Sequence, residues 1–186
     1  MTDIEVGKFL SYILRHHPEK IHIDMDKNGY VDVEELIQKV NDTRGYEGQL
    51  SIERLHRIVA TNDKKRYSFN EDYSRIRAVQ GHSFHVDVAR KAIPPVVLYH
   101  GTSKRAYEKI KKKGLDKMSR DYVHLSVDTE TAINVGLRHC KNQSELIVLV
   151  IDAKKMLTDG YHFFVAENGV WLTETVPSKY IKTYKN

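Results

Sequence analysis

Apolar residues recur at helical spacing near the start of the chain. Thr2 and Glu5 have the spacing of a capping box, in which each side chain bonds the other residue's backbone N–H. Pro18 disfavours helical geometry in the residue before it, so the pattern predicts a first helix that ends at about Arg15. Its expected apolar face consists of Val6, Phe9, Leu10, Ile13 and Leu14.

Two more helices and a hairpin are predicted downstream. Asp32 and Ser51 can cap a second and a third helix with their side-chain oxygens. The apolar positions of these helices are Leu36, Ile37, Val40, Ile52, Leu55, Ile58 and Val59. Apolar and polar residues then alternate across 67–69 and 76–78, with a turn at Glu71-Asp72, which is typical of a β-hairpin. Three short helices and a hairpin predict a winged-helix lobe, a fold that does not by itself determine a function.

Pro94-Pro95 marks the predicted boundary between two lobes, 1–93 and 94–186, because paired prolines resist continuing the preceding element. The predicted strands beyond it are 96–100, 123–126, 146–152, 163–165 and 170–172, and the predicted helices are 104–114 and 129–137. We expect Gly101-Thr102-Ser103 to form a turn, and Asn168-Gly169 to supply positive φ angles to a tight hairpin turn. The predicted fold class is α+β, with a second lobe rich in strands.

Composition narrows the class of protein. Thirty Lys and Arg against 25 Asp and Glu give a formal charge of +5, which suits a polyanionic partner without requiring one. Cys140 is the only cysteine, which excludes an intrachain disulfide and a cysteine-based zinc site. No apolar run is long enough to cross a bilayer, and the first residues lack the order of a secretory signal. We therefore expect a globular protein of the cytosol that does not enter membranes.

Several basic residues are candidates for chemistry, each with an ordinary structural alternative. Arg15 and His16 lie at the predicted end of the first helix, where positive charge is favourable, but together they could also grip a phosphate. Arg66 lies in a charged run that is typical of a solvated surface, and Arg138 could be a surface residue of its helix. Spacing alone assigns neither arginine a catalytic role.

The second lobe contains a candidate ligand site and few standard motifs. His100-Gly101-Thr102 could offer side-chain bonds and close backbone approach to a ligand, or could be a plain strand-to-helix turn. His124 lies in an apolar run and is by default a core histidine. The chain has no glycine-rich dinucleotide motif, phosphate loop or HExxH helix. His82 and His85 could be half of a metal site, but they have no carboxylate at suggestive spacing, so we expect no metal.

Seven fragments, in order along nearly the whole chain, resemble the RNA 2'-phosphotransferase family, often called tRNA 2'-phosphotransferases. The fragments are 10–16 (LSYILRH), 65–68 (KRYS), 76–83 (IRAVQGHS), 99–102 (YHGT), 119–120 with 123–126 (SR, VHLS), 135–138 (VGLR) and 168–170 (NGV). Each fragment is short, but their order across two lobes is a specific signal. The chain departs from the family at Val79, where members often have asparagine.

The resemblance implies a winged-helix lobe followed by an ADP-ribosyltransferase-like lobe, with the active site in the cleft between them. By similarity, the catalytic tetrad consists of Arg15, His16, Arg66 and Arg138. NAD is then expected in the second lobe, against His100, Gly101, Thr102, Arg120, His124, Ser126 and Val170. Many ADP-ribosyltransferases carry tyrosine in place of His124, so the histidine indicates the RNA-modifying branch.

The resemblance also implies a reaction and its partners. An internal RNA 2'-phosphate attacks the nicotinamide ribose of NAD, and the ADP-ribosylated intermediate resolves to 2'-hydroxyl RNA, ADP-ribose 1'',2''-cyclic phosphate and nicotinamide. We expect a monomer that acts in RNA processing, such as that of tRNA.

Two alternatives stay open. One is a winged-helix regulator that contacts DNA phosphates through Arg54, Arg57 and the wing lysines. The other is an ADP-ribosyltransferase that stops after the first step, for which Glu167 is the only nearby candidate glutamate.

Overall fold

A computed structural model describes residues 1–87 and 89–184. The chain divides into two compact units, Met1–Val88 and Ala89–Asn186. This boundary precedes the predicted one at 93/94, since residues 89–91 form a strand that pairs within the second unit. Helices and antiparallel strands are mixed in both units, which confirms the α+β class. Among the described helices, none has the length and apolar character that a membrane span requires.

The first unit contains three helices and a small antiparallel sheet. Its elements are α1 (Asp3–Arg15), β1 (Val31–Asp32), α2 (Val33–Asn41), α3 (Ile52–Ala60), β2 (Tyr67–Phe69) and β3 (Arg75–Ala78). The sheet order is β1-β3-β2, and a short 3-10 helix, Pro18–Ile21, follows α1. The predicted capping box is confirmed, because Glu5 N–H donates to Thr2 Oγ1 at 3.3 Å and Thr2 N–H donates to the Glu5 carboxylate at 2.7 Å. Strand β1 was not predicted, because two residues are too short for a period-two pattern.

A continuous apolar core holds the first unit together. Leu10, Ile13, Leu36, Leu55 and Ile76 are fully buried in it and come from all three helices and the sheet. Ile52, predicted to be on the apolar face of α3, is instead exposed, since it lies in the first turn of that helix. Burial of these side chains supplies most of the stabilisation of such a small unit. The end of α1 and the start of β2, which carry the candidate residues, are therefore fixed to one core.

The second unit contains three helices and nine short strands among its described residues. These are β4 (Ala89–Lys91), β5 (Leu98–Ser103), α4 (Lys104–Lys113), β6 (Leu115–Asp116), β7 (Val123–Leu125), α5 (Thr129–Gly136), β8 (Leu146–Ile151), α6 (Ala153–Thr158), β9 (Phe164–Ala166), β10 (Trp171–Thr173), β11 (Thr175–Val176) and β12 (Ile181–Thr183). The sheets have the orders β4-β9-β10-β7, β11-β6 and β12-β8-β5. A 3-10 helix, Leu137–His139, continues α5. A second apolar core packs between these elements.

The predicted turn at 101–103 is wrong, because β5 continues to Ser103. All six residues of β5 pair with β8, which extends the strand through the expected turn. Gly101 lies against α5, and a Cβ atom there would come within 1.8 Å of the Ala132 carbonyl oxygen. A Cβ at Gly136 would in turn come within 2.8 Å of Gly101. The glycine at 101 is therefore required for close packing of helix on strand.

The hairpin between β9 and β10 differs in detail from its prediction. Four residues, 167–170, connect β9 to β10, and Gly169 has a φ of +80° whereas Asn168 is not among the described residues with positive φ. Gly169 N–H donates to the Ala166 carbonyl oxygen at 2.9 Å. Glycine adopts a positive φ without the steric cost that a side chain imposes, which explains why this turn has a glycine at position 169.

Candidate functional site

Arg15 and His16 lie where α1 ends, against the segment that follows β3. The backbone N–H of Ser83 donates to the Arg15 carbonyl oxygen at 2.9 Å, which ties the two segments together. Gly81 has a φ of +86°, a conformation that favours glycine, and its α carbon faces the Arg15 side chain. A Cβ built there would lie 3.8 Å from Arg15 Nη1. The Arg15 guanidinium is thus packed on backbone rather than extended into solvent.

Arg66 precedes β2, and its charge, like that of Arg15, affects the pKa of the buried Tyr67 hydroxyl. Its backbone N–H and its Nη1 both donate to Asn62 Oδ1, at 3.1 and 3.3 Å. The Tyr67 hydroxyl donates to the Gly7 carbonyl oxygen at 2.6 Å and lies 2.6 Å from Ser11 Oγ. Burial raises the pKa of Tyr67, while the bond from Ser11 and the charges of Arg15 and Arg66 oppose that rise. Two arginines distant in sequence therefore lie close enough to influence one group.

His82 is a functional candidate that the sequence reasoning did not assign. It is 2% exposed, and its Nε2 has no hydrogen-bond partner in the described chain, as is also true of the buried Gln80 Oε1. Burial, together with the smaller effects of the positive charges of Arg15, His16 and Arg77, lowers the pKa of His82 to about 4. A neutral imidazole therefore lies beside the Arg15 and His16 pair. In the sequence, His82 stood out only as half of a possible metal site with His85 and by its place in the QGHS fragment.

The half metal site considered for His82 and His85 has no completing ligands in the described chain. His85 Nε2 lies 3.3 Å from Asp87 Oδ1, and both side chains are exposed. Within residues 1–87 and 89–184, no group of three or more His, Cys, Asp or Glu side chains is arranged to hold a metal ion.

In the second unit, a hydrogen bond determines which ring nitrogen of His100 carries the hydrogen. Its Nδ1 lies 3.0 Å from the His124 carbonyl oxygen, which can only accept, so Nδ1 carries the hydrogen. Burial lowers the pKa of His100, the His124 carbonyl opposes this shift, and the charges of His139 and Arg120 add to it. The neutral form leaves Nε2 as an acceptor for a ligand hydroxyl.

His124, on β7, is joined by a hydrogen bond to Arg120, which precedes that strand. Arg120 Nη1 donates to His124 Nδ1 at 2.9 Å, which places the hydrogen of a neutral His124 on Nε2. Burial lowers the pKa of Arg120, as does the nearby positive charge of Arg138. Arg138 is exposed in the 3-10 helix after α5. Two guanidinium groups and two imidazoles thus form a cluster in this unit.

The remaining predicted cofactor residues lie on or directly beside the strands around this cluster. Thr102 follows Gly101 on β5 and is 6% exposed. Ser126 and Tyr99 exchange two backbone hydrogen bonds of 2.8 Å, which fix β7 beside β5. Val170 directly precedes β10, and its carbonyl oxygen accepts from Ala166 N–H at 3.0 Å. The second unit therefore brings the predicted cofactor residues onto adjoining strands, with Arg138 near them, while Arg15, His16 and Arg66 belong to the first unit.

The arginines that a DNA-binding regulator would use have structural partners. Arg54 Nε and Arg57 Nε donate to the two carboxylate oxygens of Asp3 at 2.9 and 2.7 Å. These bonds lower the pKa of Asp3 to about 2, with Arg57 contributing most. Arg54 also donates to the backbone oxygens of Gln49 and Met1. Both arginines therefore join α3 to the start of α1.

Comparison with known proteins gives a consistent result. Residues 1–175 match the family model described as "RNA 2'-phosphotransferase, Tpt1 / KptA family". A protein of Fusobacterium nucleatum, named "Probable RNA 2'-phosphotransferase", is 52% identical over 182 residues, which cover 97% of this chain and 98% of the relative. Proteins of the same name from Flavobacterium johnsoniae and Burkholderia pseudomallei are 47% and 48% identical, over 95% of this chain and 94% and 92% of theirs.

Proposed function

The chain belongs to the RNA 2'-phosphotransferase family, and we propose that it is an enzyme that removes an internal 2'-phosphate from RNA by transferring it to the ADP-ribose of NAD. One observation carries this proposal beyond the family match. The positive charges of Arg15 and His16 both lower the pKa of the buried His82 imidazole. Those of Arg15 and Arg66 both oppose the rise in the pKa of the Tyr67 hydroxyl. Two arginine charges with a histidine beside them suit a phosphate dianion better than a neutral ligand.

We assign the phosphate to Arg15, His16, Arg66 and Arg138. Guanidinium groups can donate two parallel hydrogen bonds to phosphoryl oxygens and stay charged at any physiological pH. Arg66 is held by a neutral amide, and no carboxylate pairs with it or with Arg138 in the described chain, so their charges are available to a ligand. Fixed donors of this kind stabilise charge that grows on nonbridging oxygens in the transition state.

We assign NAD to the second unit. Support comes from the neutral His100, whose Nε2 can accept from a ribose hydroxyl, and from Arg120, whose charge complements a pyrophosphate. The proposed set also includes Gly101, Thr102, His124, Ser126 and Val170, which lie on or beside β5, β7 and β10. No metal is required, because the nicotinamide ring of NAD is positively charged and leaves the ribose as a neutral base.

The proposed reaction balances in two displacements. A 2'-phosphate oxygen bonds to the anomeric carbon as the bond to nicotinamide breaks, which gives an ADP-ribosylated RNA 2'-phosphate. The adjacent ribose hydroxyl then bonds to phosphorus as the bond to the RNA 2'-oxygen breaks. The hydroxyl proton moves to that oxygen, and His16 can assist by hydrogen bonding or by proton transfer. The products are 2'-hydroxyl RNA and ADP-ribose 1'',2''-cyclic phosphate.

We further propose that the first unit is a winged-helix lobe and the second an ADP-ribosyltransferase-like lobe of a monomeric cytosolic enzyme of RNA processing. The three helices followed by the β1-β3-β2 sheet support the first assignment. The His100 and His124 pair on adjoining strands supports the second.

The test is a product analysis. The protein is mixed with NAD and a short RNA that carries one internal 2'-phosphate, and products are separated by chromatography and identified by mass. We expect nicotinamide, 2'-hydroxyl RNA and the cyclic phosphate in equal amounts. Arg44→Ala, at an exposed arginine outside the assigned set, should behave as the parent protein does.

Other outcomes of that analysis would replace the proposal. An ADP-ribosylated RNA that never resolves would identify a transferase that stops after the first step. Free phosphate released without NAD would identify a hydrolase. Tight binding of duplex DNA with no consumption of NAD would identify a regulator.

A further inference from the structure

Helix α4 carries the net positive charge of the whole protein. Its ten residues, Lys104–Lys113, include six Lys or Arg and one Glu, an excess of five. The formal charge of the entire chain is also +5, so the remaining residues balance to zero. A single helix therefore generates the long-range attraction of this protein for polyanions.

The structure of α4 does not explain this charge by itself. Lysines in its last turn suit the negative end of the helix dipole, but Lys104 and Arg105 lie in the first turn, which contains no acidic residue. Positive charge at that end is unfavourable. The spacing of Arg105, Lys109 and Lys113 also places like charges four residues apart, which destabilises an isolated helix. The helix therefore carries charges that cost it stability.

The same helix presents these charges to solvent. Ile110 is buried, and Ala106 and Tyr107 pack beside it against the second core, so one face of the helix is covered. The six basic side chains are all exposed. Lys111 pairs with Glu108 at 2.5 Å, and no ion pair joins the other five to a carboxylate within residues 1–87 and 89–184. Five cationic groups are thus available to an external partner.

We propose that the exposed face of α4 binds the phosphodiester backbone of RNA outside the reacting nucleotide. This inference rests on the proposed function for the identity of the polyanion. The charges are spread over about 15 Å of helix, at a rise of about 1.5 Å per residue, which matches several successive phosphates better than one. Lysines on flexible stems contact backbone phosphates without selecting a base sequence. The surface increases affinity for longer RNA and leaves the chemical steps unchanged.

The test compares RNA lengths and salt concentrations. The triple variant Lys109→Gln, Lys112→Gln, Lys113→Gln keeps good helix formers and removes three charges. With a long RNA that carries one internal 2'-phosphate, we expect KM to rise at least tenfold and kcat to stay unchanged. The negative slope of log kcat/KM against log salt should become less steep by about 2, because each of the three lost phosphate contacts contributes about 0.7. With a dinucleotide that carries the same 2'-phosphate, kinetics should be unchanged.

A matched variant and a binding assay separate the two proposals. Lys8→Gln, Lys141→Gln, Lys154→Gln removes the same charge from other exposed positions and should retain the parent KM. Binding of fluorescent 2'-hydroxyl RNA, which requires no chemistry, should weaken only in the α4 variant. If both variants bind that RNA equally, the proposed surface is wrong, whether or not the parent turns over substrate. If the α4 variant alone weakens binding while the parent consumes no NAD, the surface stands and the proposed reaction fails.

Discussion

The two units of this chain differ in how they distribute charge. The first contains 13 Lys and Arg against 15 Asp and Glu, and the second contains 17 against 10. In the first unit, Arg54, Arg57 and Arg75 are paired with Asp3 and Asp26. In the second, the excess is concentrated on exposed residues of α4.

This difference separates two ways of recognising phosphate. A unit with a slight negative excess gains little from long-range attraction, so the phosphate binding that we propose for it requires a few groups in defined positions, such as Arg15 and Arg66. A unit with a broad positive excess attracts any polyanion but discriminates poorly among them. Chemistry at one phosphate and capture of a long RNA are therefore expected to respond to different substitutions.

The largest effect on stability is expected at Gly101, where the second unit has no space for a side chain. In Gly101→Ala the new Cβ would overlap the backbone of α5, and backbone cannot move as a flexible side chain does. We expect a loss of about 3 kcal/mol or more in the free energy of unfolding, measured by chemical denaturation.

Gly7→Ala is the contrasting variant in the first unit. Its Cβ would lie 3.7 Å from Ile58, an ordinary contact, and alanine favours helix over glycine by about 1 kcal/mol. We expect unchanged or increased stability. Equal losses in the two variants would show that Gly101 is not packed as described.

Arg138→Ala should have the next largest effect, on catalysis rather than folding. The side chain is exposed, so its removal leaves no cavity, but in the proposed reaction the phosphoryl group loses a fixed donor in the second step. We expect about a hundredfold decrease in kcat and accumulation of ADP-ribosylated RNA, detected by mass. Arg138→Lys should recover only part of the rate, because lysine lacks the planar fork. Undiminished turnover in a folded Arg138→Ala protein would remove this residue from the catalytic set.

His82 should make the first unit sensitive to pH. Its folded-state pKa of about 4 lies below the ordinary 6.5, so the folded state binds fewer protons than the unfolded state between these values. Its contribution to stability is complete above about pH 6.5 and is lost as the pH falls towards 4, by about 3 kcal/mol in total. Thermal unfolding of the parent and of His82→Asn, which cannot titrate, should show a shallower pH dependence in the variant.

The control for that experiment is His22→Asn. His22 is exposed and has a φ of 50°, a conformation that asparagine tolerates well. This variant should keep the pH dependence of the parent. A parental slope in His82→Asn as well would mean that the pKa of His82 does not differ between the folded and unfolded states.

The smallest effect is expected at Asp3, where the first unit neutralises its arginines. Asp3→Asn removes the charge that binds Arg54 and Arg57 at the surface, so the melting temperature should fall by only a few degrees, about 2–4 °C. Released arginines should increase binding of RNA or DNA slightly, as measured by fluorescence anisotropy at low salt. Unchanged binding would show that releasing Arg54 and Arg57 from Asp3 does not create a nucleic-acid contact, and that the position of an arginine decides whether this unit binds RNA or DNA.

The local elements could be predicted because their causes are local. The caps at Thr2, Asp32 and Ser51 and the apolar period beyond each of them specify α1, α2 and α3. The very short strands β1, β6 and β11 could not be predicted, because two residues define no period and their pairing partners are distant in sequence.

Tertiary packing changed the interpretation of particular residues. Gly101 was expected to favour ligand approach at a turn, but it lies within β5 and contacts α5. His124 was by default a core histidine, and it accepts a hydrogen bond from Arg120. His82 was weighed as a metal ligand, and it is a buried neutral group beside Arg15 and His16. Each correction depends on a neighbour brought close by folding.

The sequence by itself determined the α+β class, the three capped helices, the charge of α4 and the family resemblance. These properties depend on residues within a few positions of one another, or on the simple order of short fragments. Only the tertiary structure decided which imidazoles are neutral, which arginines are held by carboxylates and which glycine is sterically required. Protonation and steric fit depend on burial and on atoms within a few ångströms, and those neighbours come from segments far apart in the chain.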